Sequence, residues 1–315
     1  MTTLLEIKEQ IVSLYKRVEF ILLPVIKFIF AMIILSKVSG FMDNFDSTGK
    51  LEILNKTTIR MAMSLIVAFV PSTWFVFLII VNICGRLFFV SIEATVIVLI
   101  VLMVMYLMFL RLFPKQAYLA IVVPFMFQMN LAYVLPLLVG LLVGPAAIIP
   151  VAVGVASFFL AAYIPGLLEM RAADLSEMPV VLIDMYKYFM SSATQDRTMM
   201  IFIGVFAVVI VATYFVARLE MDFIHYIAIA FGGLVMIFGF IIGNIVMNGN
   251  AKIGSVILGT IVAVIIVGVV QFFRFSLDYQ KSEKHQFEDD DFYYYVRAVP
   301  KMKIAKSNKE VKTIE

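Results

Sequence analysis

Long apolar runs, separated by shorter polar segments, dominate the pattern of this chain. They lie at about residues 18–36, 61–83, 88–110, 118–136, 146–164, 198–217, 223–246 and 252–273. Each run has close to or more than the roughly 20 residues that a helix needs to cross a bilayer. Inside the bilayer the backbone must satisfy its own hydrogen bonds, which favours helices. The pattern therefore predicts an all-α, polytopic integral membrane helical bundle of about eight transmembrane helices, within a range of about seven to nine.

The polar segments divide the chain into three parts. Residues 1–17 place Leu4, Ile7, Ile11 and Leu14 at helical spacing, which predicts an amphipathic N-terminal helix on the membrane surface or against a partner. Residues 18–274 form the predicted transmembrane domain, and residues 275–315 form a short polar C-terminal tail.

A second interfacial helix is predicted inside the longest internal polar segment, residues 167–197. Its apolar face consists of Met178, Val181, Leu182, Met185 and Phe189. Asp184 and Lys187 lie on the opposite face, as expected for a helix at an interface.

The stretch from Ala117 to Pro165 contains no Lys, Arg, Asp or Glu, but it is rich in Pro and Gly. We divide it into two spans joined by an uncharged link, Leu137–Pro145. A link without charge is unsuited to water, so we expect either a re-entrant turn or a pair of half-helices sheltered by neighbouring helices. The number of predicted transmembrane helices can therefore differ by one in this region.

Two further features of the spans carry predictions. Pro71 is expected to break the backbone ladder within the second run, and a tight turn around Asn82, Gly85 and Arg86 is expected to separate the second span from the third. Glycines in the last two spans predict that these two helices pack closely on each other; they are Gly232, Gly233, Gly239, Gly243, Gly254, Gly259 and Gly268.

Composition strengthens the assignment to membrane proteins. The 315 residues are 63% hydrophobic and 15% charged, with a mean hydropathy of +1.03, whereas soluble domains are roughly a quarter charged. The single cysteine, Cys84, excludes an internal disulfide. The net charge of +3, with basic residues mostly in termini and loops, predicts no nucleic-acid partner.

Recognised catalytic patterns are missing from the sequence. It has no HExxH motif, phosphate-binding loop or nucleophile elbow, and its two histidines, His225 and His285, have no cysteine beside them. We therefore expect no enzyme activity, no cofactor and no metal site.

The distribution of basic residues predicts the orientation. The Lys-rich tail supplies most of the excess of Lys and Arg on the side of the termini, although Lys37, Lys50, Lys56 and Arg60 lie on the other side. We expect a multi-pass protein of the plasma membrane with both termini in the cytoplasm. No cleavable signal pattern precedes the first span, so we expect that span to be retained.

Several residues within the spans are candidates for a transport path: Lys27, Pro71, Gln128, Asn130 and Pro136. An ammonium at mid-span costs about 2.5–3.5 kcal/mol unless it is paired or reaches water, which makes Lys27 a functional hypothesis. Broken backbone at proline presents free carbonyls next to the two amides. The alternatives are that Lys27 snorkels to an interface and that the amides bond neighbouring helices.

Two pairs of charged residues are candidates for structural ion pairs. Arg86 and Glu93 are seven residues apart, which places them on one face of a continuous helix. Arg274 and Asp278 are four residues apart at the end of the last span.

The tail contains a tract with strong strand propensity, which includes Phe292, Tyr293, Tyr294 and Tyr295. We consider two roles for this tract. It docks onto the sheet edge of a separate protein subunit, or its tyrosines lie among the lipid headgroups as an aromatic belt.

Four segments resemble a group of uncharacterised multi-span bacterial membrane proteins: QFEDDDFYYYVRAVPK at 286–301, PSTW at 71–74, FPK at 113–115 and GPAAIIP at 144–150. The likeness covers about residues 59–303. It implies a bacterial membrane protein that ends in an acidic, tyrosine-rich tract, and it assigns no functional residue.

Two hypotheses for the function follow. In the first, the chain is a permease-like transport component that moves a small solute past the broken segments. In the second, it is a membrane scaffold whose tail recruits a cytoplasmic or envelope-associated partner. A lipid-modifying membrane enzyme is a weaker third hypothesis, because no paired catalytic residues are present.

Overall fold

The structure is a computed structural model that describes residues 18, 22, 24–40, 57–170 and 178–274, and the backbone of 283–288 and 293–298. Residues 23–268 form one compact unit, and residues 1–22 with 269–315 form another. The predicted N-terminal helix at 1–17 lies outside the described residues.

Helices make up nearly all of the described residues between 24 and 274. They are α1 (residues 24–40), α2 (Thr57–Phe69), α3 (Ser72–Val90), α4 (Ile92–Met105, continued by a π-helical turn at Tyr106–Leu110), α5 (Leu119–Gln128), α6 (Val134–Leu142), α7 (Ile148–Ala161, after a 3₁₀ turn at Pro145–Ala147), α8 (Ile164–Glu169), α9 (Met178–Gln195), α10 (Arg197–Val216), α11 (Ile224–Met247) and α12 (Ile253–Arg274). The predicted all-helical class is confirmed for the described residues up to Arg274.

Within the described residues, 4 helical segments are long and apolar enough to cross a membrane. They are Ile92–Leu110, Arg197–Val216, Ile224–Met247 and Ile253–Arg274. Large apolar side chains on α11 and α12 are exposed, among them Ile245 at 71% and Leu258 at 69%. Surfaces of this kind are compatible with contact to lipid.

Two side-chain hydrogen bonds show how the first helices meet. The amide Nδ2 of Asn82 on α3 donates to the sulfur of Met63 on α2 at 3.4 Å, so these helices fold back on each other at Val70–Pro71. One guanidinium nitrogen of Arg60, near the start of α2, donates to the hydroxyl of Ser36 near the end of α1 at 3.1 Å. The apolar run at 61–83 therefore contains a helical hairpin and not a single straight span.

The turn between α3 and α4 differs from the sequence prediction. Helix α3 continues through Asn82, Gly85 and Arg86 and ends at Val90. The break comes at Ser91, which has extended backbone and whose hydroxyl accepts a hydrogen bond from the amide of Ala94. An Asn or Gly inside a helix costs only about 1 kcal/mol, which packing can offset, whereas a serine N-cap ends one helix and begins the next.

The charge-free stretch forms three short helices, not two spans. Helix α5 ends at Gln128 and α6 begins at Val134, with Asn130 in the turn at a φ of 56°. The link predicted at Leu137–Pro145 is largely helical, and the break after α6 lies at Gly144, whose φ of 97° favours glycine. Helix α6, of 9 residues, is far too short to cross a bilayer, so the half-helix interpretation fits this region better than a single span does.

Helix α10 occupies the centre of the main hydrophobic core. It packs against α6, α7 and α11. Phe202 and Phe206 of α10 and Phe240 of α11 form edge-to-face ring pairs, with Phe202 and Phe240 centroids 4.7 Å apart. Such pairs add about 0.5–1.5 kcal/mol each beyond the burial of the rings.

Close packing by glycine occurs, but the partners differ from the prediction. A Cβ added at Gly239 or Gly243 would lie about 3 Å from side chains of α10, and one added at Gly232 would meet Thr213 of α10. Only Gly233 faces α12, and Gly254 and Gly268 have no described atom near an added Cβ. The glycines of α11 therefore allow close packing mainly on α10.

The segment predicted as a second interfacial helix is helical and forms helix α9. Met185 and Phe189 of its apolar face are buried against α4 and α8, while Asp184 and Lys187 are exposed and form an ion pair at 3.8 Å. The amphipathic period alone identified the helix and the face that it buries.

The tail contains a short antiparallel hairpin of strands β1 (Glu283–Glu288) and β2 (Tyr293–Ala298). In its register, Tyr294 is the partner of Phe287 and Tyr295 is the partner of Gln286. The strand-prone tract thus pairs with a strand of its own chain.

Candidate functional site

A large apolar cavity lies within the unit formed by residues 23–268. Its volume is about 990 Å³, at the upper end of the range of ligand pockets, which is roughly 300–1,000 Å³. Side chains of α1, α3, α4, α5 and α7 supply most of its wall. Because the wall comes from helices far apart in sequence, the cavity is a product of the tertiary fold.

One end of the cavity is entirely apolar, and we call it the floor. Its lining includes Val76 from the first half of α3, Leu110 from the end of the π-helical turn, and Ile121 from the first half of α5. Leu110 and Ile121 are buried, at 2% and 8% exposure. The floor offers no polar group to a ligand and suits a hydrocarbon chain.

The other end carries the polar groups, and we call it the rim. Among the described residues that line the cavity, only Ser36, Lys37, Gln128 and Ser157 are polar. They come from the C-terminal parts of α1, α5 and α7. The ring centroids of Phe127 on α5 and Phe158 on α7 are 4.4 Å apart, and those of Phe30 on α1 and Phe125 on α5 are 5.5 Å apart, so the three helices pack together near this end. None of the described lining residues is acidic.

A second cation is bonded to the rim. Arg60 donates to the hydroxyl of Ser36 at 3.1 Å and to that of Thr57 at 3.2 Å. Its Nε is buried and has no hydrogen-bond partner among the described residues. Lys37 and Arg60 therefore give the rim two positive charges beside an apolar interior.

The structure brings only one predicted transport residue to this cavity. Gln128 lines the rim, next to Pro124 on the same helix. Lys27, Pro71, Asn130 and Pro136 are not among the lining residues. Lys27 is half-buried, Pro71 and Asn130 are exposed, and Pro136 is buried in the core that contains α10.

Sequence reasoning missed Ser36, Lys37, Arg60 and Ser157. The predicted runs at 18–36 and 61–83 left residues 37–60 between two spans, but α1 continues to residue 40 and α2 begins at Thr57. The basic residues at both ends of that segment were a usable signal, because a helix that begins or ends with a cation often places it at a membrane interface.

The predicted ion-pair residues lie near the turn at Ser91. Arg86 is almost completely buried, at 1% exposure, and its Nε donates to Asn82 at 3.1 Å. Glu93 accepts a hydrogen bond from the Ser91 hydroxyl at 2.8 Å. The pairing of Arg86 with Glu93 stays a prediction, and Asp278, the predicted partner of Arg274, lies outside the described residues.

The candidates for partner docking fall on the hairpin. Tyr293, Tyr294 and Tyr295 belong to β2, while Phe292 lies outside the described residues. In the described sheet, β1 and β2 pair only with each other, so each strand has one outer edge without a partner strand. An outer edge of this kind can accept a further strand through its backbone N–H and C=O groups.

Metal-ligating side chains do not cluster in the part of the chain that the structure describes: no group of three or more His, Cys, Asp or Glu is placed to hold an ion. No family model, no curated protein and no solved structure matches this chain. The cavity and its rim are therefore the basis on which a function is inferred.

Proposed function

We propose that the chain is a permease-like membrane component that moves a small, largely apolar solute through the cavity. The proposal includes about eight bilayer crossings in the plasma membrane with both termini in the cytoplasm. The observation that carries it is an apolar cavity of about 990 Å³ with a polar rim at one end only.

The irregular backbone around the cavity supports a transport role. The end of α5 at Gln128 and the π-helical turn at Tyr106–Leu110 both include a lining residue, Gln128 and Leu110 respectively. Interrupted helices are typical of substrate paths in membranes, because non-helical backbone is tolerated there only when it is buried or lines a cavity.

The test is flux through proteoliposomes that contain the purified full chain. The probes are single-chain lipids with a fluorescent label on the chain and a neutral, zwitterionic or anionic head, and albumin extraction reports their movement. We expect flux of at least one probe above that of protein-free vesicles. The Ser157→Trp variant, which fills the cavity next to Val153, should abolish this flux.

The matched control is Ser157→Ala. It removes the same hydroxyl, which donates to the carbonyl of Val153 at 2.8 Å, without filling the cavity. The proposal fails if no probe moves faster than in protein-free vesicles, or if the tryptophan and alanine variants transport equally well.

A scaffold role is the second candidate, and the hairpin favours it. An isolated two-stranded hairpin is marginally stable in water, and an open strand edge is a template for a further strand. Deleting residues 283–315 should abolish capture of a partner by a scaffold but leave flux intact. The same deletion in the flux assay therefore separates the two functions.

A further inference from the structure

The rim points to the class of solute, an inference that rests on the proposed function. We infer that the cavity binds a single-chain anionic amphiphile, with its acyl chain toward the floor and a carboxylate or phosphate head at Lys37 and Arg60.

The apolar interior is the first part of the argument. Between the floor and the rim the described lining is almost wholly aliphatic and aromatic, and Ile79, Leu102 and Phe125 are among these residues. Removing apolar surface from water contributes roughly 25 cal/mol per Å². A polar solute would lose its hydration here without finding partners, whereas a hydrocarbon chain would not.

The charge of the rim is the second part. Lys37 lies on the wall, and Arg60 is bonded to Ser36 of the same wall. Arg60 itself is not among the lining residues, so it contributes its positive charge through its bond to Ser36. A carboxylate or phosphate is the group that two neighbouring cations recognise best.

The position of the charges is the third part. Both cations lie at the rim, and the described lining contains no acidic side chain that would repel an anion. Gln128, with an exposed amide at the same end, adds a hydrogen-bond donor. The acyl chain of a neutral lipid would pack against the floor, but its head would give Lys37 and Arg60 no counter-ion.

The experiment measures equilibrium binding to the purified full chain in a non-ionic detergent. The probes are radiolabelled palmitate, 1-palmitoyl lysophosphatidate and monopalmitoylglycerol, which share one acyl chain and differ in the head. We expect at least one anionic probe to bind more tightly than the neutral one. Preference for palmitate identifies a fatty-acid carboxylate, and preference for lysophosphatidate identifies a phosphate headgroup.

Variants assign the preference to the rim. Lys37→Gln should weaken binding of the anion by roughly three- to tenfold, the size of one partly exposed ionic contact, and leave the neutral probe unchanged. Lys115→Gln is the matched control, because it removes the same charge in the exposed loop between α4 and α5, away from the rim. Arg60→Lys should retain most of the anion preference and Arg60→Gln should lose it.

Two results overturn the inference. One is equal affinity for the neutral and anionic probes in the unsubstituted chain. The other is a loss on Lys37→Gln that is no larger than the loss on Lys115→Gln. If none of the probes binds, including the neutral one, the inference about the solute class fails, and the flux assay decides separately whether the proposed transport function stands.

Discussion

Asp196 connects the start of α10 to the turn that follows α7, and its removal should destabilise the protein measurably. One carboxylate oxygen accepts from the amide of Met199 at 3.0 Å as an N-cap, and the other accepts from the hydroxyl of Tyr163 at 2.8 Å. Tyr163 stands between Ala162 and Ile164, which line the cavity, so this connection also holds part of the cavity wall.

The size of the effect follows from the two bonds. Loss of an N-cap costs about 0.5–2 kcal/mol, and a hydrogen bond to a charged group contributes about 1.5–3 kcal/mol when buried. Asp196 is only half-buried, so we expect about 1–3 kcal/mol of destabilisation in total for Asp196→Ala. Asp196→Asn keeps an oxygen for the cap and should lose less.

The assay is an unfolding titration in mixed detergent micelles, followed by circular dichroism. A double-mutant cycle with Tyr163→Phe should give a coupling of about 0.5–1.5 kcal/mol, because the two side chains share one hydrogen bond. Asp184→Ala is the control, since its ion pair with Lys187 is exposed and contributes about 0–1 kcal/mol.

Additive effects of Asp196→Ala and Tyr163→Phe would contradict this reasoning. So would a loss for Asp196→Ala no larger than that for Asp184→Ala. Either result would mean that the turn after α7 is held by apolar packing alone.

Two further predictions concern packing. Gly140→Ala would place a Cβ 2.9 Å from the carbonyl oxygen of Ile210, and because backbone cannot move aside, we expect about 1–3 kcal/mol of destabilisation in the same titration. Gly204→Ala meets no described atom within 4 Å and should be neutral or stabilising; equal losses at the two positions would refute the close contact. Cys84, buried at 7% exposure, should react slowly with a maleimide in native membranes and rapidly in denaturing detergent. The control is Leu219→Cys in a Cys84→Ala background; this position is in the exposed loop before α11 and should react quickly in both conditions. Fast labelling of Cys84 in native membranes would contradict the packing of its helix.

The apolar runs themselves determined the membrane class and the long C-terminal helices. The predicted spans at 198–217, 223–246 and 252–273 agree with α10, α11 and α12 to within about a turn. A run of about 20 apolar residues sets its own length because the bilayer satisfies no backbone hydrogen bonds. Helix α9 was equally predictable, since Met185 and Phe189 recur on one face of an amphipathic period.

Breaks in the helices were decided by the tertiary structure. Arg86 and Gly85 looked like a turn, yet they lie inside α3, because packing readily offsets the small cost of such residues in a helix. Conversely, the apolar run at 118–136 gave no sign that it would turn at Asn130. Local propensities differ by about 1 kcal/mol, so neighbouring helices determine where such a segment bends.

The candidate site was the least predictable part. Lys37 and Arg60 are separated by a polar segment in the sequence, and Ser157 lies far from both; no period or motif connects them. They meet at one rim only because α1, α2 and α7 place their ends together. Hydrophobic pattern determines which segments enter the bilayer, whereas the packing of those segments determines which polar ends surround the same space.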